Sequence, residues 1–144
     1  QPLLGELRPV SDPLPHTRGA FPHARAAGGL VHVSGTSARR FDDTVEGADV
    51  GDDGTVRLDP AVQSRAVLVN VERVLADHGL DRGDLVDATA FLVDIDHFDA
   101  WNEAWAEFFT GREAPARTTV AVRALPHPHL LVEVKATALM RNGG

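Results

Sequence analysis

The stretch APARTTVAV (114–122) places Arg117 just after Pro115 and Ala116, at the mouth of a β-branched run. The chain around it has a formal net charge of −7. A guanidinium presents a planar fork of donors that matches a carboxylate in two parallel N–H bonds, so Arg117 can serve as an acid-binding group. A second reactive candidate lies in LLVEVKATA (130–138), where Glu133 alternates away from Val132 and Val134. A carboxylate there can hold or activate a water molecule beside a bound acid. The same two residues also read as a cross-strand ion pair, which when exposed is worth under ~1 kcal/mol. Register decides whether they meet, and register is not written in the strands themselves.

The histidines offer less. His127 and His129 in LPHPH (125–129) can share one face of an extended segment, but two imidazoles without a third ligand make a poor metal site, and a turn flanked by Pro126 and Pro128 explains them equally well. No metal is expected. His23 in FPHAR (21–25) lies at the end of a proline-rich arm and can reach a cleft, while His32 sits within a strand pattern. VSGTS (33–37) lacks the glycine two positions before Ser34 that a nucleophile elbow has. Neither a phosphate-binding loop nor a dinucleotide fingerprint is present, and with no cysteine there is no thiolate nucleophile, thiolate zinc site or disulfide.

A chain of 144 residues with 43% hydrophobic and 24% charged residues is expected to form one domain with its own core. No apolar run approaches the ~20 residues of a membrane span, and no basic-then-apolar leader pattern opens it, so a cytoplasmic protein without a membrane partner is expected. A pI near 5.4 disfavours a nucleic-acid partner, which clustered Lys and Arg would hold. A small anion needs only one or two local cations.

Elements that position these residues are legible in order. Pro2, Pro9, Pro13 and Pro15 mark an extended arm over 1–18, with the domain proper over 19–141. GGLVHVSG (28–35) alternates as a strand, and the acidic, glycine-punctuated segment 41–56 reads as a loop or irregular hairpin. Asp59 and Pro60 open a helix whose Val67, Val71, Val74 and Leu75 form one stripe, and Gly79-Leu80 close it. LVDATAFLVDI (85–95) is apolar on both faces, hence a central strand. Asp96 caps a second helix carrying Phe98, Trp101, Trp105 and Phe108 at core spacing, and strands follow at 117–124 and 130–139. Two helices on one face of a mixed sheet give an α+β layer, with an apolar face left for a partner copy.

PARTTVAVRALPHPHLLVEVKATA (115–138), with GAFPHAR (19–25), VSGTS and NVERVLADHGLDRGDLVDATAFLVDIDHFDAWNEAWAEFF (70–109), resembles the RidA/YjgF/UK114 family of reactive-intermediate deaminases. Within it, FPHAR, the long acidic loop and the C-terminal half are similar to 2-aminomuconate deaminases. The resemblance implies a chorismate-mutase-like mixed six-stranded sheet and a homotrimer with clefts between subunits. It also implies cofactor-free hydrolysis of an enamine or imine acid to the carbonyl compound and ammonia. It puts the carboxylate-binding arginine at Arg117 and the water-associated glutamate at Glu133. Cleft positions fall on Thr119, Ser34, Gly35 and Asn102. Phe21 replaces the family's cleft tyrosine, and His23 is the polar substitute beside it. Two other readings remain: a tailoring or intermediate-protecting protein of secondary metabolism, and a non-catalytic ligand-binding protein or ribonuclease.

Overall fold

A computed structural model describes residues 13–141. The expected arm falls partly outside the described residues, which include only its end from Pro13 onward.

The first helix, α1 (Pro60–Ala76), begins as its local signals require: the Asp59 side chain accepts from the Val62 N–H, and Pro60 occupies the first turn. It ends in a Schellman motif, with the Leu80 N–H bonded to the Leu75 carbonyl and the Gly79 N–H to the Ala76 carbonyl. Gly79 has φ +71°, the left-handed conformation that this closure needs. The second helix, α2 (Phe98–Phe108), starts later than its sequence suggests. Its N-cap is His97, which makes no side-chain cap bond, while Asp94 caps the 3₁₀ turn Ile95–His97 just before it, its side chain accepting from the Asp96 N–H. Asp96 lies inside that turn, where its side chain cannot cap the helix.

Five strands form the main sheet: β1 (Ala24–Ala27), β2 (Leu30–Thr36), β5 (Leu85–Leu92), β6 (Ala116–Ala121) and β7 (Val132–Leu139), in the order β1-β2-β7-β5-β6. The expected sixth strand does not join it. Glycine turns fold the acidic segment back on itself, so β3 (Ala48–Val50) and β4 (Val56–Leu58) pair with each other as a separate ribbon. All sheet pairs are antiparallel except β5 with β6, which run parallel across the α2 crossover. Both helices pack on one face, burying Val31, Val33, Val67, Leu68, Leu75, Ala90, Leu92, Trp101, Val132 and Val134 in a single core. β5 is interior as expected, but only its Leu85, Ala88, Ala90 and Leu92 are buried. The other sheet face carries His32, Thr89, Phe91, Thr118, Val120, Glu133, Lys135 and Thr137. It is uncovered, but mixed rather than apolar, because charged and hydroxyl residues take the alternate positions of β6 and β7.

A fully buried amide ties the loop before β7 to α1. Gln63 donates from Nε2 to the His129 carbonyl (2.7 Å) and accepts at Oε1 from the Leu131 N–H (2.9 Å). Gln63→Ala leaves both backbone groups unsatisfied, so chemical denaturation is expected to report a loss of roughly 1–3 kcal/mol.

Candidate active site

Arg117 stands in the second position of the edge strand β6, on the face toward α2. Its Nη2 donates to Asn102 Oδ1 at 2.7 Å. Its guanidinium carbon lies 5.0 Å from the Trp105 ring centroid, 5.8 Å from Phe98 and 5.9 Å from Trp101, within cation–π range. Among the described residues no carboxylate pairs with it, and burial pulls its pKa below the ordinary value. A guanidinium stays charged nonetheless. It is therefore a partly buried cation whose side-chain hydrogen bond goes to a neutral amide, which leaves its fork open to a charge-assisted bond with a carboxylate. Thr119, two residues on, accepts from Trp101 Nε1 (3.3 Å) and so steadies an indole of the aromatic wall.

Glu133 belongs to a second constellation. β2 carries an irregularity between Val33 and Thr36, and Gly35 sits in it. A β-carbon at Gly35 would come 2.6 Å from Glu133 Oε1, so glycine leaves the space that the carboxylate occupies. Burial raises the Glu133 pKa above the ordinary carboxylate value of 4.5. Glu133 and Gly35 line a cavity of about 210 Å³ together with Phe21 and His23. Ser34 closes the edge of this wall: its N–H donates to the His23 carbonyl (2.9 Å) and its hydroxyl to the Pro22 carbonyl (2.8 Å). The serine hydroxyl thus pins the segment that delivers Phe21 and His23.

The two constellations do not meet within one chain. β6 and β7 are not a hairpin, because β5 lies between them and takes both registers. Arg117 is level with Ala88 and Glu133 with Phe91, an offset of 91 − 88 = 3 residues. Two strand spacings and that offset separate their Cα atoms by roughly 14 Å, on opposite sheet faces. The cross-strand ion pair is therefore excluded within one protomer. Arg117, Asn102 and Thr119 form one cluster, and Glu133, Gly35, Ser34, Phe21 and His23 form another.

Two groups of lining residues escaped the sequence reading. Phe98, Trp101 and Trp105 were assigned to the core by their spacing, and Trp101 is fully buried, yet all three also wall the guanidinium. Arg18 and His127 line the cavity of Glu133. His127 Nδ1 accepts from the His129 N–H (3.0 Å), and their ring centroids stand 5.0 Å apart. Among the described residues no group of three or more metal-ligating side chains stands together, and no helix is long and apolar enough to cross a membrane.

The family model described as endoribonuclease L-PSP matches residues 13–140. The chain belongs to this family, the RidA/YjgF/UK114 family. A relative from Escherichia coli, the 2-iminobutanoate/2-iminopropanoate deaminase, is 38% identical over 90 residues, covering 61% of this chain and 70% of that protein. Among solved family structures, that of the E. coli YjgF gene product superposes with a TM-score of 0.74 at 29% identity, over 89% of this chain and 94% of the other. E. coli TdcF, solved with bound serine, gives a TM-score of 0.74 at 26% identity, over 89% and 94% of the two chains. The mixed sheet with its two helices is thus the architecture of the family.

Proposed function

We propose that the protein hydrolyses an enamine or imine carboxylic acid to the carbonyl compound and ammonia, in a site built from two copies of the chain. The observation that carries this reading is the uncompensated guanidinium of Arg117, desolvated by three aromatic rings and held by Asn102. It is complementary to the carboxylate of a small acid. The other half-site supplies Glu133, whose raised pKa suits a group that accepts and returns a proton. The two half-sites face different directions, so one copy offers Arg117 where the next offers Glu133. Such head-to-tail contacts close into rings when the rotation between copies is a whole fraction of a turn. A homotrimer is the ring that the family resemblance supports, and the uncovered sheet face is available for it.

In this arrangement Arg117 grips the substrate carboxylate and an enamine tautomerises to its imine. Water adds to the imine carbon as Glu133 takes one of its protons, giving a carbinolamine. Glu133 returns the proton to nitrogen and then takes the proton of the carbinolamine hydroxyl as the C–N bond breaks, so ammonia leaves behind a ketone or aldehyde. Positioning supplies most of the acceleration for an electrophile already this reactive. The deaminase name of the E. coli relative supports the reaction class, and the serine bound in TdcF shows that relative taking a small amino acid. For this chain the substrate we propose is 2-aminomuconate, a longer conjugated acid suited to a cavity lined by Phe21 rather than tyrosine.

Ammonia release from an enzymatically generated 2-aminomuconate or 2-iminobutanoate tests the reaction; no acceleration over the buffer rate would refute it. Mixing separately purified Arg117→Ala and Glu133→Gln chains after reversible dissociation tests the shared site. Each site then draws an intact Arg117 and an intact Glu133 with chances of roughly one half each, so about a quarter of wild-type activity is expected. A mixture as inactive as its components would place the whole site in one chain.

A further inference from the structure

The cavity beside Glu133 carries positive charge that the hydrolysis of a simple imine acid does not use. Arg18 lines it from the arm and His127 from the loop before β7. A third cation of the wall, Arg39, is already matched: it bonds Asp43 Oδ1 at 2.5 Å and the His16 carbonyl at 2.6 Å. Arg18 has no ion pair or side-chain hydrogen bond among the described residues. Its own segment is held in place, since Thr17 Oγ1 donates to the Phe21 carbonyl at 2.7 Å. Arg18 therefore reaches the cavity from an anchored turn.

His127 adds a neutral donor. Its Nδ1 accepts the His129 N–H, which leaves the ring proton on Nε2. Burial chiefly, then the charges of His129, Arg18 and Arg39, hold its pKa below 6.5, so it is uncharged near neutral pH. Arg18 thus lies near enough to His127 to act on it electrostatically.

We propose that Arg18, with His127 beside it, binds a second carboxylate, and that the site selects dicarboxylates over monocarboxylates. Arg117 of the neighbouring copy holds the acid group next to the reacting carbon, and Arg18 holds the far one. Arg18 is then a specificity residue: it distinguishes substrates by a charge at their distal end and leaves the chemistry at Glu133 untouched. The roles at the two ends rest on the reading above, but binding can be measured without catalysis.

Two unreactive acids with one carbon skeleton, hexa-2,4-dienedioate and hexa-2,4-dienoate, differ only in the terminal carboxylate. Calorimetric titration of the full-length wild-type assembly is expected to show the diacid binding at least about tenfold tighter, as one charge-assisted contact contributes. Arg18→Ala should bring the two within about twofold of each other by weakening the diacid alone, and Arg18→Lys should keep part of the preference. Arg117→Ala should weaken both acids. Equal wild-type affinities, or an Arg18→Ala variant that loses both acids in parallel, would overturn the proposal while leaving the carboxylate site at Arg117 standing. Failure of the wild-type protein to bind either acid would overturn that site and this proposal together.

Discussion

Arg117→Ala is expected to lower kcat/KM for the imine acid by about three orders of magnitude, with the assembly and its melting temperature nearly unchanged. The loss has two parts. A bidentate charge-assisted contact disappears, and with it the orientation that brings the electrophilic carbon to water. The fold tolerates the change because Arg117 lies on an edge strand and its one side-chain hydrogen bond goes to Asn102, which is only half-buried. Removing a desolvated, unpaired cation also relieves a cost, which offsets the lost packing on Trp105. Arg117→Lys keeps the charge but not the fork, and should recover only part of the rate. Steady-state kinetics on the three proteins, beside their thermal melts, give the answer. An alanine variant with wild-type kcat/KM would remove Arg117 from the site.

Glu133→Gln is expected to cost two to four orders of magnitude in kcat, about what a positioned proton acceptor contributes. It should also stabilise the protein at neutral pH. Burial holds the folded-state pKa of Glu133 above the 4.5 expected in the unfolded chain. Between those two values the folded chain binds more protons than the unfolded one, so stability falls as pH rises through that window. The penalty is absent below 4.5 and complete above the folded-state pKa. Glutamine, uncharged throughout, should match the wild type at pH 4 and melt slightly higher at pH 7. The gain stays below about 1 kcal/mol, because Glu133 is only half-buried and water screens it. In the wild type kcat/KM should rise with pH through the same window, and in Glu133→Gln that limb should vanish. A variant that is inactive yet less stable at pH 7 would mean that Glu133 holds structure rather than a proton.

Both variants touch residues that were legible as candidates before any fold was known, and the manner of that legibility differs by element. Asp59, Pro60 and Gly79 delimit α1 through bonds spanning three to five residues, so adjacent sequence suffices. The second helix shows the limit of such signals. Asp94 and Asp96 are both capping residue types, yet Asp94 caps only a preceding 3₁₀ turn and the helix itself starts at His97 without a side-chain cap. Spacing put Phe98, Trp101 and Trp105 on a buried stripe; that the stripe also walls a guanidinium depends on which strand crosses it.

From residue types and family motif alone come the α+β class, the carboxylate chemistry of Arg117 and the proton chemistry of Glu133. These are properties of side chains and of short-range periodicity, which the chain carries wherever it folds. The insertion of β5 between β6 and β7 is a different matter, as are the seat of Glu133 against Gly35 and the placing of Arg117 and Glu133 on opposite sheet faces. Strand order and register are set by packing between segments far apart in sequence, where many pairings satisfy the same alternation of apolar and polar residues. Only the assembled core chooses among them, and that choice turns Arg117 and Glu133 to opposite faces of the sheet.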